Sequence, residues 1–260
     1  MKKICVIGIG GSGCDIVRTL EKNYKFEDNI KIIGSDSAIC GMRDCKNKLP
    51  LERVYPIYCK VKGILEENDD TTGDIMCCIG CNGNPILGEV SANYKYNEIK
   101  NELNGVDKLI LTTVFGGGTG TGAIKEFIKI AKELKIDTTC IISMPIFSSK
   151  EMMQSVLEVK KQITSMGVEV KEYEYSDIDP EFKIYSIKEY FEKFDRGISK
   201  EIVENYLVWQ SIRERINNMN KDKTILVAKM YTGEFIEKNI GHEIINFFKP
   251  DNKDIAIMDI

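Results

Sequence analysis

A loop of seven residues, Gly116-Gly117-Gly118-Thr119-Gly120-Thr121-Gly122, contains five glycines and two threonines. It lies between an apolar run, Leu109 to Val114, that is typical of a buried strand and a helical pattern that begins near Ile124. Glycines allow the backbone to approach a ligand closely, so several N–H groups can face one anion at a helix N-terminus. The threonine hydroxyls can donate further hydrogen bonds or cap the helix. The loop therefore predicts a phosphate-binding site.

A second glycine-rich loop follows the first apolar run of the chain. Lys2 to Ile7 has the composition of a short strand, Gly8 to Gly13 forms the loop, and a helical repeat begins at Ile16. The order of strand, loop and helix again predicts a phosphate loop. Neither loop contains a lysine, so the pattern G-x-x-x-x-G-K-[ST] is not met. The charge of a bound phosphate must then be offset by helix dipoles, backbone amides and a metal ion.

The first loop taken alone allows another interpretation. Gly8, Gly10 and Gly13 satisfy G-x-G-x-x-G, and Asp36 follows the next predicted strand, where dinucleotide-binding folds place a ribose-binding acid. An oxidoreductase that binds NAD is therefore an alternative, although it leaves the loop at Gly116 to Gly122 unexplained. A non-catalytic interaction module, which keeps the loops without a ligand, is a further alternative.

The loop Gly116 to Gly122 resembles the signature loop of the tubulin/FtsZ superfamily of GTP-binding proteins, which reads GGGTGTG in FtsZ. The loop that ends at Gly13 is similar to the first FtsZ loop, with Asp15 in place of its closing asparagine. Asp15 would face away from the phosphates, help to hold Mg²⁺, or weaken binding, because a carboxylate repels phosphate unless a cation lies between them. Residues Ile79 to Pro85 are similar to the FtsZ loop Leu-Gly-Ala-Gly-Gly-Asn-Pro.

The resemblance implies that the chain binds GTP or GDP, together with Mg²⁺. Residues that it places at the nucleotide are Gly10, Gly11, Ser12, Gly13, Asp15, Asp36, Gly80, Cys81, Asn82, Gly83, Gly116, Gly117, Gly118, Thr119, Gly120, Thr121, Gly122 and Pro145. Asp177 or Asn205 would contact the base. No catalytic residue is assigned.

The sequence departs from the family after Pro145. Where FtsZ has a ribose-binding glutamate and a nearby arginine, this chain reads Ser148-Ser149-Lys150 and Met153. FtsZ also has a second domain and an acidic loop that completes the neighbouring subunit's nucleotide site, and residues 220–260 offer no clear equivalent. Because water activation needs a suitably placed carboxylate, we expect slow or absent GTP hydrolysis. A homo-oligomer or filament is compatible with the resemblance, as is a regulatory role.

The expected fold is α/β, with a three-layer Rossmann-like, mostly parallel sheet. Residues 1–197 would form the GTP-binding domain and residues 198–219 a long central helix, whose apolar residues repeat at helical spacing. Residues 220–260 would form a short β-α-β tail with its helix at 235–248.

Composition excludes several functional classes. The formal charge is −4, with 43% hydrophobic and 29% charged residues and no basic block, so a nucleic-acid partner is not expected. No run of about 18 apolar residues occurs, and we expect a cytoplasmic protein without a membrane partner. The nine cysteines are an odd number and are interpreted as reduced thiols. Cys77, Cys78 and Cys81 lie close in sequence, but a single histidine, His242, disfavours a zinc site.

Overall fold

A computed structural model describes residues 3–26, 28–62, 64, 78–145, 149–174 and 186–207, and the strands at 225–227, 234–240, 243–249 and 257–259. The chain divides into two compact units, Met1–Ser199 and Lys200–Ile260.

The first unit is built on a five-stranded parallel sheet of order β2-β1-β3-β4-β5. Its strands are β1 (Ile4–Ile9), β2 (Ile30–Ser35), β3 (Lys108–Val114), β4 (Asp137–Ser143) and β5 (Glu169–Tyr173). The strands predicted before Gly8, before Asp36 and before Gly116 are thus confirmed as β1, β2 and β3, and β5 lies at one edge of the sheet. Because all five strands are parallel, their carboxyl ends share one edge of the sheet, where ligands bind in open α/β folds.

Seven helices accompany this sheet among the described residues: α1 (Gly10–Asn23), α2 (Val54–Val61), α3 (Pro85–Tyr94), α4 (Tyr96–Leu103), α5 (Gly118–Glu133), α6 (Lys150–Ser165) and α7 (Ile187–Glu201). A short 3₁₀ turn, Ile39–Met42, follows β2.

The helices cover both faces of the sheet. Cys5, Ile7 and Ile9 of β1 join one hydrophobic core with residues of α4, α5 and α6. Since side chains alternate along a strand, Ile4 and Val6 point to the opposite face, and they are also buried. On that face α1 contacts the sheet, and Ser199 Oγ of α7 donates a hydrogen bond of 3.1 Å to the carbonyl of Ile16 in α1. The three-layer α/β fold is therefore confirmed.

The central helix differs from the prediction at its start. Helix α7 begins at Ile187, well before residue 198, and is followed by a π-helical segment, Ile202–Leu207. The remainder of the predicted helix, residues 208–219, lies outside the described residues.

The helix predicted over residues 235–248 is wrong. Glu234–Ile240 (β7) and Glu243–Lys249 (β8) are antiparallel strands, in a register that pairs Ile240 with Glu243. Both segments are rich in isoleucine and phenylalanine, which favour strands, and the intervening sequence, Gly241-His242, has a glycine that is typical of two-residue hairpin connections. Ile225–Val227 (β6) and Ile257–Asp259 (β9) pair antiparallel where two strands were predicted.

None of the helices in the described part of the chain has both the length and the apolar composition that crossing a membrane requires.

Candidate functional site

A cavity of about 290 Å³ lies at the carboxyl end of the sheet. It adjoins the point where the order of the sheet reverses, since β1 has β2 on one side and β3 on the other. Its lining residues are Ile9, Gly10, Gly11, Ser12, Asp36, Ala38, Gly41, Cys78, Gly80, Cys81, Asn82, Val114, Gly117, Gly118, Thr119 and Gly120. The three glycine-rich segments of the sequence therefore converge on one cavity.

Two helices begin at this cavity, and neither is capped by a side chain. Helix α1 starts at Gly10, directly after β1, and α5 starts at Gly118, with Ile9 and Gly117 as their N-caps. Neither helix has an acidic residue in its first turn. The first N–H groups of a helix lack intrahelical partners, and the helix dipole makes this end positive. The two N-termini together have the unpaired N–H groups and the positive dipole ends that suit an anion.

The two helix starts approach each other closely because they are made of glycine. Gly10 has a φ of 75°, and a Cβ at this residue would lie 2.8 Å from the backbone nitrogen of Gly120. A Cβ at Gly120 would in turn lie 2.9 Å from the carbonyl oxygen of Ile9. Larger residues at these positions would push the two N-termini apart.

A third helix that begins nearby, α3, is closed to a ligand at its N-terminus. The Asn84 side-chain oxygen accepts hydrogen bonds from the backbone N–H groups of Ile86 and Leu87, at 3.0 and 3.4 Å. Pro85, the first residue of α3, has no N–H to donate. The resemblance between Ile79 to Pro85 and a nucleotide loop thus includes residues that cap a helix.

The glycines of the loop at Gly116 to Gly122 serve different purposes. A Cβ at Gly118 would lie 2.7 Å from the backbone nitrogen of Asn84, and a Cβ at Gly122 would lie 1.8 Å from the carbonyl oxygen of Pro85. These two glycines allow α5 to pack against α3. A Cβ at Gly117, by contrast, would meet no atom within 4 Å, and the φ of Gly117 is an ordinary −78°.

Gly11 of the first loop resembles Gly117 in this respect. A Cβ at Gly11 would have ordinary contact with one atom, Asp36 Oδ2, at 3.9 Å. Both glycines are exposed and line the cavity. Neither backbone strain nor packing within the chain requires glycine at these two positions, so the space that a Cβ would fill is available to a ligand.

Hydrogen bonds join the residues after β2 to the other cavity walls. Ser37 Oγ lies 2.8 Å from Thr119 Oγ1 and 3.3 Å from Cys81 Sγ, and all three side chains are buried. Asn82 has a φ of 46°, and its Nδ2 donates to the Tyr55 hydroxyl at 2.8 Å. These contacts hold the Gly80 to Asn82 segment beside the start of α5.

Asp36 presents a buried carboxylate to the cavity. Its side chain is 4% exposed, and Oδ1 has no hydrogen-bond partner within the described chain. Burial raises the pKa of Asp36, although hydrogen bonds from Ala38, Thr119 and Ser37 partly oppose the shift. A buried acceptor without a partner is costly. A hydrogen-bond donor or a cation supplied by a ligand would satisfy it.

The donor set at Asp36 suits Mg²⁺. The carboxylate and the hydroxyl of Thr119 supply hard oxygen ligands, and Mg²⁺ in nucleotide sites is commonly held by one or two protein oxygens and the phosphates. Asp36 and Thr119 could thus hold a magnesium ion together with a bound nucleotide.

Several predicted site residues do not line the cavity. Asp15 forms an ion pair with Arg18 and does not line the cavity. This arrangement corresponds to the possibility that Asp15 faces away from the phosphates. Gly13 packs against Gly8 and the carbonyl of Thr112. The Thr121 hydroxyl accepts a hydrogen bond from the Gly116 backbone N–H at 3.0 Å. The other predicted residues that lie away from the lining are Gly83, Gly116, Gly122 and Pro145.

The side chains of the two candidate base readers lie outside what the structure describes. Asp177 lies outside the described residues. Asn205 belongs to the π-helical segment of the second unit, and only its backbone is described.

Five lining residues were not predicted: Ile9, Ala38, Gly41, Cys78 and Val114. Ile9 and Val114 are strand ends, and their position next to the two glycine loops could have indicated them. Ala38 and Gly41 lie in the segment after β2, in which Asp36 was the one residue predicted to belong to the site.

The expectation that all cysteines are reduced is wrong. Cys40 and Cys78 form a disulfide, with their Cα atoms 5.1 Å apart. The six free cysteines of the described residues are all buried. Neither partner could be chosen from a sequence of nine cysteines, because pairing depends on which loops meet in the folded chain. The described residues contain no group of three or more histidine, cysteine or acidic side chains that could hold a metal ion.

Comparisons with known proteins agree with this geometry. The family model described as "Tubulin/FtsZ family, GTPase domain" matches residues 3–170. The cell division protein FtsZ of Helicobacter pylori is 32% identical over 143 residues, which cover 55% of this chain and 32% of that protein. FtsZ of Buchnera aphidicola subsp. Acyrthosiphon pisum is 36% identical over 168 residues, which cover 63% of this chain and 38% of that protein. The matched segment thus spans about a third of the length of these relatives.

Solved structures share the fold. An empty FtsZ dimer from M. jannaschii matches with a TM-score of 0.62 at 22% identity, and the match covers 88% of this chain and 58% of the other. CetZ2 from Haloferax volcanii, solved as a GTPγS-bound protofilament, matches with a TM-score of 0.60 at 14% identity, covering 82% and 62%.

Proposed function

The chain belongs to the tubulin/FtsZ family, with residues 3–170 matching its GTPase domain, and we propose that it binds GTP or GDP in the cavity between α1 and α5. The phosphates would lie at the two helix N-termini, where the N–H groups of Gly11, Ser12 and Gly118 are candidates to donate to them. No lysine or arginine lines this cavity in the described chain, so the dipoles, the amides and Mg²⁺ would carry the charge balance.

One observation carries this proposal: Gly11 and Gly117 have no side chain at positions where the chain itself has room for one. Gly118 gives no information about a ligand, because packing within the chain already excludes a side chain at this position. Glycines that face an open cavity at two uncapped helix ends are expected where phosphate oxygens approach the backbone.

We also propose that hydrolysis by the isolated chain is slow. Asp36 is the only carboxylate among the lining residues that the structure describes. If it holds Mg²⁺, no second carboxylate is left among the described lining residues to activate water as a base. A second copy could supply that group, and the protofilament of CetZ2 supports nucleotide-dependent self-association as part of this proposal.

The test is calorimetry of the purified chain with GTP, GDP, ATP and NAD, each with and without Mg²⁺. We expect guanine nucleotides to bind in preference to ATP and NAD, and Mg²⁺ to strengthen GTP binding. Phosphate release and sedimentation with GTP against GDP would then measure hydrolysis and self-association. A chain with an intact melting transition that binds none of the four would contradict the proposal.

A further inference from the structure

The Cys40–Cys78 disulfide joins two walls of the cavity. Cys78 lines the cavity itself, two residues before Gly80. Cys40 lies between Ala38 and Gly41, which also line it. The linked residues are 38 apart in sequence, so the bond brings together segments that the sequence separates widely. One wall carries Asp36, and the other carries the Gly80 to Asn82 segment.

Besides this bond, Ser37 links the two walls, because its Oγ lies 3.3 Å from Cys81 Sγ and 2.8 Å from Thr119 Oγ1. Gly41 packs against the Asp36 carboxylate, since a Cβ there would lie 2.2 Å from Asp36 Oδ2. The position of Asp36 is thus tied to the segment that Cys40 anchors.

The disulfide is also more accessible than the other described cysteines. Cys78 is exposed and Cys40 is half-buried, whereas the six free thiols are buried. Burial raises the pKa of Cys5 and of Cys140 to about 12, so these thiols hardly ionise and react slowly. Exposed disulfides are the ones that reductants reach, and they are typical of regulatory pairs.

We propose that Cys40 and Cys78 form a thiol–disulfide switch that sets the affinity of the cavity for nucleotide, with the oxidised form binding more tightly. This inference rests on the proposed function. The bond holds both walls in place before the ligand arrives, so the protein loses less conformational entropy on binding. Reduction releases the Cys78 segment from the Cys40 segment, and the walls must then be ordered by the ligand.

The redox step is an exchange with a dithiol. A thiolate of the reductant attacks the exposed Cys78 sulfur, the bond between Cys78 and Cys40 breaks, and Cys40 leaves as a thiolate that takes up a proton. The second thiol of the reductant then attacks the mixed disulfide and releases Cys78 as a thiol. Two electrons and two protons pass to the protein, and the reductant becomes a cyclic disulfide.

Thermodynamic linkage makes the inference testable from both sides. If the oxidised chain binds GDP about tenfold more tightly than the reduced chain, saturating GDP must favour the disulfide over the dithiol by the same factor. A tenfold factor corresponds to a shift of about 30 mV in the midpoint potential of the pair, towards more negative values.

The experiment uses the whole chain in buffers of reduced and oxidised dithiothreitol at set ratios. Alkylation followed by mass spectrometry measures the fraction of the Cys40–Cys78 disulfide, with and without GDP, and calorimetry measures the affinity for GDP at the two extremes. Melting curves in both states check that the chain stays folded. The C40S/C78S variant should bind GDP like the reduced chain in either buffer. The C77S variant removes the neighbouring cysteine, keeps the pair, and should behave as the unmodified chain does.

The outcomes separate the two proposals. A tenfold difference in affinity between the redox states, with a matching shift in midpoint potential, supports the switch. Equal affinities in both states, or a failure to find the Cys40–Cys78 linkage in the oxidised chain, overturn the switch and leave the nucleotide proposal intact. Absence of nucleotide binding in both states of a folded chain overturns the proposed function, and the switch with it.

Discussion

The substitution Gly117→Ala should weaken nucleotide binding and leave the fold intact. The new Cβ meets no atom of the chain within 4 Å, and a φ of −78° suits alanine. Alanine caps a helix less well than glycine. It also lowers the conformational entropy of the unfolded chain, which stabilises the folded state by about 0.4–1 kcal/mol. These effects oppose each other, so the free energy of unfolding should change by no more than about 0.5 kcal/mol.

The same methyl group occupies space that we assign to a phosphate at the start of α5. Loss of one hydrogen bond to a charged group costs about 1.5–3 kcal/mol, which is a factor of about 10 to 150 in affinity. Calorimetry with GDP and thermal unfolding without ligand measure the two effects separately.

Gly118→Ala is the matched control, one residue further along the loop. Its Cβ would lie 2.7 Å from the Asn84 nitrogen, so the variant should lose about 1–3 kcal/mol of stability before any ligand is added. If Gly117→Ala retains both its stability and its affinity for GDP, the phosphates do not lie at the start of α5 and our reasoning about the open glycines is wrong.

Three further substitutions test other parts of the structure. Asp36→Asn should abolish the Mg²⁺-dependent part of nucleotide binding. Because burial raises the pKa of Asp36, ionisation of Asp36 costs stability as pH rises through the folded-state pKa. Without ligand, the Asp36→Asn variant should therefore melt at a higher temperature than the unmodified chain at pH 8, but not below about pH 4. Asp195 has a pKa raised to about 7 by burial, with Arg18 opposing the shift, so the unmodified chain should lose stability between about pH 4 and pH 7. Asp195→Asn should reduce this loss of stability between about pH 4 and pH 7. A variant whose melting temperature depends on pH as that of the unmodified chain does would contradict the assignment to Asp195. Asn84→Ala removes the cap of α3 and should cost about 1 kcal/mol in chemical denaturation, with GDP affinity within twofold of the unmodified chain; a large loss of affinity would place α3 in the site.

Local patterns were sufficient to predict the order of strands, loops and helices in the first unit. The apolar runs before Gly8 and Gly116 are short, and the apolar residues after each loop repeat at helical spacing. The spacing of neighbouring residues is therefore sufficient to predict the strand before each loop and the helix after it. In residues 235–248 the same reasoning failed. A short segment rich in isoleucine and phenylalanine fits a helical or a strand period, and its pairing with a neighbouring segment decides between them.

The roles of individual glycines needed the folded chain. Gly117 and Gly122 belong to one sequence motif, yet the first faces an open cavity and the second packs against Pro85 of another helix. Asn84 likewise matches a nucleotide loop in sequence, and its side chain caps α3. A motif records only that glycine or asparagine occurs, whereas the neighbouring elements determine why.

The sequence by itself determined that two glycine-rich loops follow strands and precede helices, because a loop's flexibility and the period of its flanking residues are local properties. The tertiary structure decided which loops meet at one cavity, that Asp36 Oδ1 lies buried there without a partner, and that Cys40 pairs with Cys78. Each of these facts depends on residues far apart in the chain, whose distances are fixed only when the parallel sheet brings the carboxyl ends of its strands to one edge.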